Sequence, residues 1–180
     1  MFETASGVTV PHPERLREEY ELAGDTLTMN LSFEKLPAFV QAFYELLPEP
    51  LFLAVHPDAD NENLVYYLDG MTKSQLETVL GGYGELLYQD GLSSFAIASH
   101  ETEEELFVQK YKVLSLYSTK LPRFFPLLQQ FGVSSTAKLV TAWDTFSEAE
   151  PGSASRLQVA GETVEDMIKE LQKIGMYQAK

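Results

Sequence analysis

The residues whose types and spacing suggest chemistry sit in "HPDADNENLVYYLDG", His56 to Gly70. Counted from Asp58, the ligand places of a helix–loop–helix calcium site fall on Asp58, Asp60, Glu62, Leu64 through its carbonyl, Tyr66 and Asp69. Val65 takes the hydrophobic eighth place. Two places depart from the pattern. The sixth is Asn63 where the sharp turn asks for glycine, and the twelfth is Asp69 where a longer glutamate would bind in bidentate fashion. The flanks "LFLAVH" and "LVYYL" read as strands rather than helices. The segment therefore reads as the solvated tip of a β-hairpin, where Asp and Asn favour turns.

A second chemistry is divalent-metal hydrolysis. His56, Asp58, Asp60, His100 and Asp144 lie at or near strand ends, and histidine with carboxylate can hold a transition metal. Against it, His12, His56 and His100 are the only histidines, and none shares a metal-binding spacing with another. No Gly-x-Ser-x-Gly elbow is present. "GGYG", Gly81 to Gly84, lacks the Lys-Ser/Thr of a phosphate loop and falls inside an apolar helical stripe. No nucleotide or other cofactor is expected.

The distribution of charge is more informative. There are 27 acidic residues against 13 basic ones, a formal net charge of −14. Nucleic-acid backbones and anionic membranes would be repelled, whereas a basic protein would be attracted. Ten of the 27 acids fall in three segments that contain no Lys or Arg. Pro57–Asn63 carries Asp58, Asp60 and Glu62. His100–Glu105 carries Glu101, Glu103, Glu104 and Glu105. Asp144–Ser155 carries Asp144, Glu148 and Glu150. Hairpin tips tolerate charge simply because they are solvated. The functional expectation is that these ten residues bind or neutralise a basic partner, as an inhibitor or immunity protein does. If each helix runs back along its sheet, the first and third segments share one edge and "HETEEE" lies at the other. A small-ligand pocket between sheet and helices, near the glycines of "GGYG", is a further alternative.

The remaining composition sets the frame. A hydrophobic fraction of 44% over 180 residues supports one folded domain, residues 1–180, with residues 1–12 expected to be loose. The absence of cysteine excludes disulfides and thiolate chemistry. No apolar run approaches the ~18 residues of a membrane span, and the N-terminus lacks a signal-peptide pattern, so a cytoplasmic location is expected.

The elements that must position these residues follow from periodicity. "PERLREEYELAG" favours a helix from Pro13 to Gly24, with a strand over Glu19–Leu22 competing. "TLTMNLS" alternates as a strand, and Ser32 is expected to cap a helix carrying Phe39, Val40 and Phe43. "LFLAVH" and "LVYYL" are strands, followed by a turn at "DGMTKSQ" and a helix opened by Thr72 and Gln75. Gly81, Gly82 and Gly84 imply a bend or a close neighbouring backbone. "SFAIAS" is a strand, "LFVQKYKVLSLYS" one long strand, and Leu121 to Phe131 a short helix. "AKLVTAWDTF" and "RLQVAG" read as strands before a last helix opened by Thr163 and Asp166. Strand–loop–strand–helix units thus begin near Leu51, Ser94 and Ala137, with a partial unit before them. The expected class is α+β: a mainly antiparallel sheet with amphipathic helices packed on one side. Alternation also leaves some of Tyr66, Tyr67, Tyr111 and Tyr117 exposed.

Overall fold

The computed structural model describes residues 1–180. Its strands are β1 (Val8–Thr9), β2 (Glu19–Ala23), β3 (Thr26–Asn30), β4 (Leu51–His56), β5 (Tyr66–Met71), β6 (Ser94–Ser99), β7 (Glu105–Val108), β8 (Val113–Tyr117), β9 (Ser134–Ser135), β10 (Ser153–Ala154) and β11 (Tyr177–Gln178). Its α-helices are α1 (Leu36–Glu45), α2 (Lys73–Gln89), α3 (Phe125–Gln130) and α4 (Val164–Gln172). Nine strands form one sheet in the order β11-β5-β4-β6-β7-β8-β3-β2-β9, and β1 pairs with β10 in a separate ribbon. Every pairing is antiparallel except β2 with β9. The class is α+β.

Alternation sorts each central strand into two faces. Leu27, Met29, Leu51, Leu53, Phe95, Ile97, Leu114 and Leu116 join a core of 35 buried residues. That core also holds Phe39 and Phe43 of α1, Leu76 and Leu87 of α2, Leu128 of α3, and Met167 and Ile168 of α4. The helices thus cover one face of the sheet. Their starts follow local rules. Thr72 and Gln75 form a reciprocal capping box, with Gln75 N donating to Thr72 Oγ1 at 3.1 Å and Thr72 N to Gln75 Oε1 at 2.9 Å. Thr163 and Asp166 do the same for α4. Pro37 lies in the first turn of α1. Ser32 does not cap it; its hydroxyl instead accepts from Glu3 N at 2.8 Å.

Several elements differ from the expectations. Only Pro13–Arg15 is helical in the first segment, as a single 3-10 turn, and Glu19–Ala23 is strand β2. Gly24, at φ +63, lets the chain reverse in two residues, so β2 zips directly onto β3. Three apolar residues on a short helix do not compete with that ladder. "DGMTKSQ" is not a turn from its start: β5 runs on through Gly70, at φ +68, to Met71, helped by a register shift between Leu51 and Leu53. "LFVQKYKVLSLYS" is two strands, β7 and β8, reversing at Gln109–Lys112. No glycine or proline marks that reversal. Tyr111 and Lys112 adopt φ 60 and 58, and Tyr111 is held between Trp143 and Phe146, with centroids 5.6 and 4.9 Å away.

The third expected unit does not form. "AKLVTAWDTF" holds only a 3-10 turn, Ala142–Thr145, and "RLQVAG" only an isolated bridge between Val159 and Glu162. The complete strand–strand–helix units are β2-β3-α1 and β4-β5-α2, and the next, β6-β7-β8-α3, carries an extra strand. The segment around Val140 instead lies against the helix-free side of β2 and β3. Asn30 Nδ2 donates to Val140 O at 2.7 Å and Leu139 N to Glu21 Oε2 at 2.8 Å. Residues 1–12 are not loose either. Ala5, Val8 and Val10 are buried, Gly7 N donates to Gln89 O at 2.8 Å, and Ser155 N donates to Gly7 O at 2.8 Å. Helix α2 runs unbroken through its glycines. Gly81 and Gly82 face open space and Gly84 faces the Tyr88 ring, so the glycines open no passage between helix and sheet.

Candidate binding face of the sheet

The first and third acidic segments lie at one sheet edge and the second at the other, although the third expected unit does not form and β8 adds a reversal before it. The loop after β4 lies beside the start of β6: His56 pairs with Ser94, and Ala59 N donates to Leu92 O at 2.8 Å. The third segment returns to this edge, where Gly91 N donates to Ser155 O at 3.0 Å and Arg156 donates to Pro57 O. "HETEEE" lies at the opposite edge, with His100 N donating to Pro50 O at 3.1 Å.

Inside the loop, Asp58 Oδ1 accepts from Asp60 N at 3.0 Å and Asn61 Oδ1 from Asn63 N at 3.3 Å. These are turn-stabilising bonds between two strands. Asp60 is paired with Lys110 at 2.6 Å. His56 and His100 stand at opposite ends of adjacent strands, roughly 20 Å apart at 3.4 Å per residue. Asp144 closes its own turn, accepting from Thr141 N at 2.7 Å. The candidate hydrolase ligands are therefore not brought together, and no group of three or more His, Asp or Glu is placed to hold a metal ion.

The ten acids take different roles. Glu104 is buried, 4% exposed. Arg123 donates to its two oxygens at 2.8 and 2.7 Å, and Ser118 Oγ donates at 2.7 Å. Burial alone would raise its carboxyl, but Arg123 and Ser118 outweigh that and hold it below its ordinary value. Glu104 therefore faces inward and presents nothing to a partner. Glu150 bonds His12 at 2.9 Å. Asp58, Glu62, Glu101, Glu103 and Glu148 are exposed and make no ion pair within the chain. Glu105 is different again: it lies on strand β7 and points away from the helices.

That helix-free face carries the most organised hollow. Across four adjacent strands the ladder aligns Tyr67 with Ala54, Ala54 with Ala96, and Ala96 with Phe107. Two methyl groups thus lie between two large rings. At about 4.8 Å per strand the backbones carrying the rings are roughly 14 Å apart. The next row places Phe52, Ala98 and Glu105 side by side, and the row on the other side places His56 beside Ser94. The result is a hollow of about 460 Å³, closed at one end by Ala59 and Glu62 of the acidic loop. Phe52 packs against Tyr67 with centroids 6.0 Å apart, and His56 against Phe107 at 5.9 Å.

The chain matches no family model, no curated protein and no solved structure.

The charged lining of the hollow is Glu62 and Glu105, with no Lys or Arg. The Glu105 carboxylate makes no hydrogen bond or ion pair, and burial pushes its pKa up. Burial pushes the His56 imidazole down, which favours its neutral form. Beyond the hollow the aromatic surface continues: Tyr67 stands 6.0 Å from Tyr177, and Phe52 4.7 Å from His100. Asp69 ties the two ends, accepting from the Tyr177 hydroxyl and bonding His100 Nε2 at 3.1 Å. A larger hollow of about 600 Å³ lies near the N-terminus, but its side-chain cations are engaged within the chain, Lys35 by Glu18 at 2.6 Å and by Phe131 O at 3.1 Å, and Arg17 by the carbonyls of Glu14 and Leu16.

Composition alone does not separate Phe52 and Phe107 from core aromatics, whereas alternation already marks Tyr67 as a candidate for exposure. The signal that separates them is the run of small residues at alternate places of β6, Ser94, Ala96 and Ala98, with Ala54 beside it on β4. Of the four tyrosines that alternation leaves in doubt, Tyr117 is exposed, and Tyr66, Tyr67 and Tyr111 are half-buried.

Proposed function

We propose that this protein is a non-enzymatic binding module of the cytoplasm that holds a basic protein partner and neutralises or regulates it. The observation that carries the reading is the uncovered half of the sheet: an aromatic hollow whose charged lining is wholly acidic. The exposed Asp58 and Glu62 of the adjoining loop extend the same charge to the sheet edge. Aromatic surface supplies contact area at small entropic cost, and the acids raise the rate of encounter and reject anionic competitors. The net charge of −14 acts in the same direction.

The test is capture from a lysate at low and high salt, with the parent protein and a D58N/E62Q variant. Basic proteins should dominate what the parent retains, salt should release them, and the variant should retain less. Capture dominated by neutral or acidic proteins, or indifferent to salt, would sink the reading.

A small-ligand binder is a second reading, favoured by the volume of the hollow, which lies within the range of small-molecule sites. A compound that raised the melting temperature and was displaced by no protein would favour it.

A further inference from the structure

We propose that the hollow on the open sheet face is a receptor for one arginine side chain of the partner. This rests on the binding-module reading and names the group that reading leaves open.

Three features select the occupant. The floor is apolar, formed by Ala54 and Ala96, so anything that enters loses water. The walls are aromatic faces and edges of Phe52, Tyr67 and Phe107, which attract a cation through their ring quadrupoles. The only charges are carboxylates, Glu105 within the floor's neighbouring row and Glu62 at the mouth. Glu105 stands half-buried with no partner, a position that is costly for an anion unless a cation completes it. An anionic or purely apolar occupant would leave that cost in place.

Arginine fits better than lysine. Its guanidinium is planar and weakly hydrated, stacks on rings and donates two parallel bonds to one carboxylate. A lysine ammonium is a strongly hydrated point charge that a dry floor disfavours. A second copy of this chain is a poor occupant, since it would bring a net charge of −14 against the same sign. A partner strand is no better. The hollow lies on β5, β4, β6 and β7, and each of these strands already has a neighbour on both sides.

The experiment is an NMR titration of the whole protein with N-acetyl-argininamide, alongside the lysine and citrulline analogues. The Ala54 and Ala96 methyls and the Phe52, Tyr67 and Phe107 rings report occupancy. Arginine should shift them in a saturable way, with a dissociation constant on the order of 1–10 mM. Citrulline, the neutral isostere, should fail to do so. Glu105→Gln should weaken arginine about tenfold while leaving the spectrum of the free protein folded. Phe107→Leu, which keeps an apolar wall and removes the ring, should weaken it several-fold.

Arginine shifts that miss Ala54 and Ala96, equal binding of citrulline, tighter binding of lysine, or an unchanged constant in Glu105→Gln would each overturn the proposal. The lysate capture separates this from the broader reading. Basic, salt-sensitive partners retained equally by Glu105→Gln would leave the binding module standing and remove only the arginine receptor.

Discussion

Arg156 Nη1 donates to Asp90 Oδ2 at 2.8 Å, and Asp90 is completely buried. The same carboxylate accepts from the backbone N–H groups of Leu92, Ser93 and Leu157 at 3.1, 2.8 and 2.8 Å. It therefore ties the end of α2, the start of β6 and the returning loop into one node. Arg156 also donates to Pro57 O, which fixes the root of the acidic loop. Asp90→Ala would remove the buried carboxylate partner of Arg156, which keeps only Pro57 O and the more distant Glu165, and leave three backbone donors unpaired. A loss of about 3–5 kcal/mol is expected in urea unfolding, and a loss below about 1 kcal/mol would show that the node is not structural.

Gly91 and Gly7 sit beside this node, where backbones cross. A Cβ on Gly91 would stand 1.9 Å from Gly7 O, and one on Gly7 2.3 Å from Gly91 N. Gly91→Ala should cost roughly 2–3 kcal/mol, since only backbone can give way. Gly81→Ala is its control. That position faces open space within α2, so the change should stabilise by roughly 0.5–1 kcal/mol. Melting temperatures moving in the same direction would refute the pair.

Lys112 gives a pH signature. It is 6% exposed, and its Nζ donates to Leu87 O at 3.1 Å. Burial pulls its pKa down to about 8, partly offset by Asp90. Below pH 8 the folded chain holds a charge it disfavours. Between pH 8 and the ordinary value of 10.5 the folded state releases a proton that the unfolded state keeps, so stability rises with pH. The stability of the parent relative to Lys112→Met should therefore climb by roughly 3 kcal/mol across that window. Urea unfolding at its two ends checks this, and a flat difference would reject it.

Glu103 and Glu104 are neighbours with opposite roles. Glu104→Ala leaves Arg123 and Ser118 without their acceptor, and a loss of about 2–3 kcal/mol is expected. Glu103 is exposed with φ 57, a left-handed conformation. Glu103→Gly should be neutral or stabilising by up to about 1 kcal/mol. Equal destabilisation by the two changes would contradict the structure.

Much of the fold was legible before any coordinates. Thr72, Gln75, Thr163 and Asp166 announce two helix starts because capping is local chemistry. Leu27 and Met29 announce β3 because alternation is local too. The reversal at Tyr111 and Lys112 was not legible, since the aromatic residues that hold it, Trp143 and Phe146, lie more than thirty positions away. Glu104 and Glu105 look alike in a run of acids. One strand step sends the first to Arg123 and the second to the open face.

The sequence by itself determined the class, most of the strands and helices, and the acidic character. Each follows from periodicity, caps and charge within a short window. Only the tertiary structure decided that Val140 and its neighbours cover one half of the helix-free face and leave the other half bare. It alone aligned Tyr67, Ala54, Ala96 and Phe107 into a hollow beside Glu105. Cross-strand register joins residues that are distant in the chain, and no local pattern encodes which of them will stand side by side.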